Sequence, residues 1–284
     1  MNYMKNILRA NRFSLLTIYL YLTIYQVLTL ASPFVLGKAI DGLLSHDWSW
    51  LLAFISIEIV ANIFALKRMV FDTKVYTKLY NEIVLKYLKA KKHIDASKKI
   101  ARVDMANMVI YFFEDAIPYY IMSIISMVGA AVFILVADWK TGLIVIGCLI
   151  PVCSLVLYFF PKINLVTRLA NNHFEKKASM ISTENFEETE QFFQRRRKLQ
   201  VYRSNLQGKS WFALNNTRAS FLAIALVVFT YNRTSLTQGE AIAMYSYINQ
   251  FLISLMSIPV AMEIWSLLKD VVNRLNQDDE LENE

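Results

Sequence analysis

The stretch "FISIEIVANIF", Phe54–Phe64, sets one glutamate, Glu58, in the middle of an apolar run. In a soluble core this carboxylate needs a buried partner. In a bilayer it sits near the midplane, where ionisable side chains are rare and usually functional. Which solvent the helix sees is decided by the rest of the chain. Of 284 residues, 56% are hydrophobic and 19% charged, with seven Gly and five Pro. A soluble domain is usually about 45–50% apolar with Gly counted in, and here the excess is gathered in blocks. Runs of about 20 apolar residues suffice to cross a hydrocarbon core of about 30 Å. Six are predicted: Phe13–Leu36, Trp48–Leu66, Ile117–Ala137, Thr141–Phe160, Phe212–Tyr231 and Ala241–Met262. The fifth is the weakest, because only "FLAIALVVFTY" is continuously apolar and Arg218 lies in its inner half. The fold class that follows is an all-α membrane protein of six transmembrane helices.

The net charge of +7 is unevenly spread. Of 30 Lys and Arg, three precede the first span, eleven lie in Lys67–Ile110, ten in Lys162–Ser210, two in the C-terminal tail, and one is Arg218. Only Lys38, Lys140 and Arg233 fall on the opposite side. The positive-inside rule places both termini and both long connections in the cytoplasm, as expected for a bacterial inner (plasma) membrane protein. The basic balance is thus a topology signal, and no nucleic-acid partner is expected. The first span exceeds the roughly 7–15-residue apolar region of a signal peptide, so it reads as a retained helix. Cys148 and Cys153, five residues apart in the fourth span, point to different helix faces and cannot bridge each other. His46, His93 and His173 are scattered without ligand spacing, so no metal is expected.

The outer connections are short ("GKAIDGLLSHD", "DWK", and a few residues around "NRTSLTQGE"), whereas two inner connections run about 50 residues each. The inner ones lack the Pro and Gly of flexible linkers. In "MVFDTKVYTKLYNEIVLKYLKAKK", Val70, Val75, Leu79, Ile83, Leu85 and Leu88 recur at roughly helical spacing. In "STENFEETEQFFQRRRKLQVYRSNL", Ser182 and Thr183 precede a Glu-rich first turn with Arg and Lys beyond, the charge order of a helix start. The second through fifth spans are therefore predicted to continue as helices into the cytoplasm. Residues 1–12 read as a cytoplasmic segment, 13–275 as the six-helix domain and 276–284 as an acidic cytoplasmic tail. Three hairpins with long inner loops raise the mitochondrial-carrier plan. Its Pro-x-Asp/Glu-x-x-Lys/Arg kink is missing: Pro33 is followed by "FVLGK" and the fifth span has no proline.

The span ends are more specific. "ASPFVLGKAIDGL" at the first outer corner, "ADWKTGLIVIGCLIPV" into the fourth span and "LTQGEAIAMYSYINQFLISLMSIP" through the sixth resemble the transmembrane domain of ABC exporters of the six-helix half-transporter type. The similarity covers about residues 13–275. It rests on order, spacing and the two long inner loops, not on any single motif. In such exporters an ATPase domain usually follows the sixth helix; here about 20 residues follow it. The sequence has no G-x-x-x-x-G-K-S/T loop, since Gly142 and Gly147 are followed by Cys148 and Leu149 within a span, and no Gly-Gly pair for an ABC signature. This chain is not expected to be an enzyme or to bind a cofactor; ATP would enter through a separate partner. The resemblance also implies a short coupling helix in each inner loop, lying across the base of the bundle and seating on an ATPase. By position these fall near "HIDASKKIAR" (His93, Asp95, Ser97, Lys98, Arg102) and "FEETEQFFQ" (Phe186, Glu187, Glu188, Phe192). Read without the resemblance, both are solvated turns between long helices, and Arg195–Arg197 is a solvated face.

Polar residues at depth supply the candidate substrate path. Gln26 lies near the centre of the first span, Glu58 of the second, and Asn249 with Gln250 of the sixth. Glu58, Ala61, Asn62 and Ala65 share one helix face, a small-and-polar surface of the protein-facing kind. Antiparallel packing of the first two spans would bring Gln26 to the depth of Glu58. The carboxylate then either hydrogen-bonds Gln26 or Asn62 as a packing contact or lines a path favouring cationic or hydrogen-bonding solutes. In the sixth span Tyr245, Asn249, Leu252 and Met256 form one face, suited to amphipathic molecules or to ordinary helix packing. The leading expectation is a stand-alone membrane subunit of an ABC-type exporter. It would work as a dimer of two copies or homologous halves, moving an amphipathic or cationic solute by alternating access. A non-transporting interaction, regulatory or immunity scaffold of the same fold, and an ATP-independent channel or carrier, are the alternatives.

Overall fold

The computed structural model describes residues 11–90, 110–175 and 186–262, with 103, 107, 108, 177, 180 and 264 in addition. His93, Asp95, Ser97, Lys98 and Arg102, as well as the helix-start residues Ser182 and Thr183 and the acidic tail, lie outside the described residues. The elements are α1 (Arg12–Leu44), α2 (Ser49–Ala90), a π-helical turn (Phe112–Ala116) leading into α3 (Ile117–Ala137), α4 (Trp139–Gly147), α5 (Leu149–Glu175), α6 (Phe186–Tyr231) and α7 (Gln238–Leu255). No strand occurs among the described residues. Six helices are long and apolar enough to cross a bilayer, α4 and α5 together making the fourth span. The predicted spans are all present, and α2, α5 and α6 run well past their apolar portions as expected.

These apolar runs form helices because lipid offers no water to the backbone, and a helix pairs its N–H and C=O groups within the segment. Pro33 lies inside α1, and close to it the Leu30 carbonyl accepts a hydrogen bond from the Tyr247 hydroxyl at 3.0 Å. The Tyr247 ring in turn stacks on Phe133, with centroids 4.7 Å apart. Three chain segments are so locked into one unit. The sixth span is the most buried and the second the least: α7 touches α1, α3, α4 and α6, whereas α2 packs chiefly along α1. The main core gathers Ile134, Val145, Val152, Phe229, Ile248 and Leu252 around α7. Trp48, Trp50 and Trp139 are exposed at the short-loop end and Trp211 near the start of the fifth span, the interfacial positions that indole side chains favour.

The short-loop end is tied by two carboxylates. Asp41 at the end of α1 accepts from the Thr237 hydroxyl at 2.7 Å and from the Gly239 backbone N–H at 2.9 Å. It thus satisfies a donor that the first turn of α7 leaves open. Thr237 itself caps that turn, accepting from the Glu240 N–H at 3.2 Å. The helices meet at Gly37 and Gly239: a Cβ on Gly37 would lie 2.5 Å from the Gly239 carbonyl oxygen, and one on Gly239 would run into the Gly37 carbonyl. At the second corner Asp138 caps α4 by accepting from the Thr141 N–H at 3.1 Å and from the Thr141 hydroxyl. Asn232 donates to the same carboxylate at 3.4 Å, and Arg233 donates to the Ala137 carbonyl at 2.7 Å. The quoted stretches "GKAIDG", "ADWKTG" and "NRTSLTQGE" thus meet at one end of the bundle.

One sequence expectation is corrected. "FEETEQFFQ" forms no separate short helix across the base; Phe186–Tyr231 is a single helix of 46 residues. The physical reason is local: from Phe186 to Arg218 the only Gly is Gly208 and there is no Pro, so nothing interrupts the hydrogen-bond ladder. Glu187 and Glu188 do occupy its first turn, where acidic side chains complement the helix dipole. Phe192, expected on a docking surface, is buried. It stacks on His173 of α5 with ring centroids 4.0 Å apart, and its carbonyl lies 2.9 Å from the His173 Nε2. Phe186 is exposed.

Candidate functional site

Polar side chains meet at mid-bundle, on four of the helices. From α1, the Gln26 amide donates to the Ser126 hydroxyl of α3 at 2.6 Å. From α7, the Gln250 amide donates to the same hydroxyl at 3.2 Å. One residue earlier on α7, the Asn249 carbonyl oxygen accepts from the Arg218 guanidinium of α6 at 3.0 Å. Gln26 and Ser126 are buried, and the Gln250 Oε1 is buried without a hydrogen-bond partner among the described residues. The arrangement is a polar layer across a bundle otherwise held by apolar contact. In hydrocarbon, interhelical hydrogen bonds of this kind average about 0.6 kcal/mol, enough to fix rotation of the helices but not to hold the fold by themselves. Among the described residues, the left-over amide carbonyl and a guanidinium bound to a neutral group are acceptor and donor capacity that packing has not consumed.

The structure brings together Gln26, Asn249 and Gln250 of the expected path and separates Glu58 and Asn62 from them. Glu58 accepts from the Ser32 hydroxyl of α1 at 2.7 Å, not from Gln26 or Asn62. The cause is helix length. α1 continues to Leu44, not Leu36, so the residue level with Glu58 is Ser32, and Gln26 falls six positions, about 9 Å, further along the axis. Of the predicted α2 face, Ala61 is buried, Glu58 and Ala65 are half-buried, and Asn62 is exposed. On α7, Tyr245 is exposed and the C-cap Met256 half-buried, whereas Leu252 is fully buried, so the expected stripe is divided between the core and an open side.

Three participants had not been singled out as path residues: Ser126, Ser32 and Arg218. Ser126 lies mid-span in "IISMVGA" and Ser32 beside Pro33. Both are small polar residues that hydropathy hardly registers. Arg218 had shown only as a flaw in the fifth span; as a charge at depth it was a positive signal. A second polar cluster lies further along α2, where Arg68 pairs with Asp72 at 3.3 Å and also reaches the Met122 sulfur at 3.7 Å. One turn on, the buried Tyr76 donates to the Phe113 carbonyl at 2.8 Å. That carbonyl belongs to the π-helical turn, whose altered register leaves carbonyls free for outside donors.

A polytopic bundle of six helices long and apolar enough to cross a bilayer, with a polar layer at mid-depth, defines an integral membrane protein. The family described as "ABC transporter transmembrane region" matches residues 4–239 of the 284, and the chain belongs to that family. The match covers the first five membrane spans, α1 to α6, and reaches Gly239 in the first turn of α7. No curated protein matches the chain.

Proposed function

We propose that the chain is the membrane subunit of an ABC-type exporter that moves an amphipathic solute by alternating access, with ATP hydrolysed by a separate subunit. The observation that carries this reading is the polar layer Gln26–Ser126–Gln250 with Arg218–Asn249, set in a chain of the ABC transmembrane family. A bundle built only to sit in lipid gains little from amides and a guanidinium at that depth. Membership of the ABC transmembrane family supports an ATPase partner. Its seat would be the long-loop end, with Glu187 and Glu188 at the start of α6 presented to it. Tyr245, exposed beside Asn249, and Met256 would line the open side of the path. The Glu58 carboxylate is engaged by Ser32, which favours an amphipathic over a purely cationic solute.

Two copies, or two homologous halves, would face each other across that open side, because one half leaves Arg218 and Asn249 at the edge of the bundle. Membrane orientation follows the Lys and Arg distribution: short loops outside, long-loop end and termini in the cytoplasm of a bacterial plasma membrane. The test is ATP-dependent accumulation of a fluorescent amphipathic dye in inside-out membrane vesicles. Vesicles carrying the chain and its co-expressed ATPase are expected to accumulate dye, and those carrying an ATPase with its phosphate-binding lysine replaced are not. Equal accumulation in both would remove ATP-driven export.

A further inference from the structure

Arg218 is a half-buried cation at membrane depth whose counter-charge is absent from the described residues. It lies thirteen positions before the end of α6 at Tyr231, and Asn249 lies eleven after the start of α7 at Gln238. At 1.5 Å per residue both are about 17–20 Å from the short-loop end, well inside a core of about 30 Å. Among the described residues the guanidinium gives one hydrogen bond, to the neutral Asn249 carbonyl. The ion pairs among the described residues, Arg68–Asp72 and Lys78–Glu82, do not include it. Glu58 is held at the α1–α2 contact by Ser32, and Glu240 stands nine positions, about 13 Å, from Asn249 along α7.

A guanidinium at this depth is not left facing lipid, so the open side of α7 beside it is a site face and not part of the lipid-facing surface. That side also presents Ile242, Tyr245 and Ile253, all exposed and four or seven positions from Asn249, hence on one helical stripe. From this juxtaposition we infer that Arg218 and Asn249 form the headgroup subsite for an amphipathic anion carrying a phosphate or carboxylate oxyanion. The remaining guanidinium N–H groups meet the oxyanion as a planar fork, the Asn249 amide N–H group is a second donor, and the apolar tail lies along Tyr245 and Ile242, toward the short-loop end. The inference names the substrate class for the proposed exporter and rests on that reading. Its test needs no ATP, so it can fail while transport stands, and transport can fail while it stands.

The experiment measures binding to the purified full chain in phosphatidylcholine nanodiscs, using dodecyl phosphate, dodecyltrimethylammonium and inorganic phosphate as probes. Dodecyl phosphate is expected to bind saturably. It should weaken about tenfold or more in Arg218→Gln, in line with loss of a hydrogen bond to a charged group. Arg218→Lys retains part of the affinity. Asn249→Asp, which supplies Arg218 with an internal carboxylate at the existing contact, abolishes anion binding while preserving the fold, and keeps the test decisive if Arg218→Gln fails to fold. The ammonium probe is expected to gain nothing from wild-type Arg218. Equal dodecyl phosphate binding in wild type and Asn249→Asp overturns the proposal. So does inorganic phosphate binding as tightly as dodecyl phosphate, which would remove the tail, or an Arg218→Gln defect confined to dimer formation, which would make Arg218 an interface residue.

Discussion

Glu58 shows how much one contact changes the meaning of one residue. Its carboxylate accepts from Ser32 between α1 and α2, the geometry of a packing contact. Glu58→Gln is expected to keep near-wild-type stability and transport, because an amide oxygen accepts the same bond. Glu58→Leu should lower stability by about 0.6 kcal/mol, the average for an interhelical hydrogen bond in a membrane. Melting temperature and dye transport measured on both variants check this; loss of transport in Glu58→Gln with unchanged melting would return the charge to the mechanism. At Gly239 the constraint is steric. A Cβ there meets the Gly37 backbone, which no rotamer relieves, so Gly239→Ala is expected to force α1 and α7 apart. The destabilisation should be about 1–3 kcal/mol, typical of overpacking, visible as a lower melting temperature. Gly208→Ala, with open space at its Cβ, should instead be neutral or mildly stabilising by helix propensity.

At the scale of elements, the short-loop corners are held by capping carboxylates, and their pH dependence follows. Burial works against the Asp138 carboxylate. The hydrogen bonds it accepts from the Thr141 hydroxyl and backbone N–H and from Asn232 outweigh that, holding it below the usual carboxylate range. A depressed folded-state value means the stabilisation is present above the ordinary Asp range of about 4 and is lost as pH falls through the folded value. Melting temperature of the wild type is therefore expected to fall below about pH 4 more steeply than that of Asp138→Asn, which lacks the titrating group; parallel curves would exclude Asp138 as a contributor. The sequence revealed the elements because their signal is additive: twenty apolar residues announce a span whatever they touch. It did not reveal partners. Rotation about a helix axis and the point where a helix stops decide contacts, and hydropathy reports neither. Gln26 and Glu58 missed each other because α1 runs eight residues past Leu36, to Leu44. Phe192 turned inward because α6 begins as an unbroken helix beside His173. Arg218 was visible in the sequence from the outset, but only its contact with Asn249 shows which side of the bundle it serves.

For the whole molecule, the distribution of Lys and Arg and the polar layer together describe a chain with two different ends. In a background with Cys148 and Cys153 replaced by Ser, a cysteine at the exposed Ser45 should react with an impermeant maleimide in intact cells. One at the exposed Ser204 should react only after permeabilisation, and the reverse pattern would invert the orientation. The central claim, a transporter membrane subunit that takes its energy from a separate ATPase, is tested most directly by ATP hydrolysis that co-elutes with the affinity-purified full chain from its native membrane. Wild type is expected to carry vanadate-sensitive hydrolysis. The double charge reversal Glu187→Lys with Glu188→Lys, at the exposed start of α6, is expected to lose it while the bundle stays folded, with only the small drop in melting temperature that an inverted charge at a helix start brings. Wild-type chain that elutes without hydrolysis under conditions that preserve membrane complexes, or hydrolysis indifferent to the charge reversal, would contradict the account.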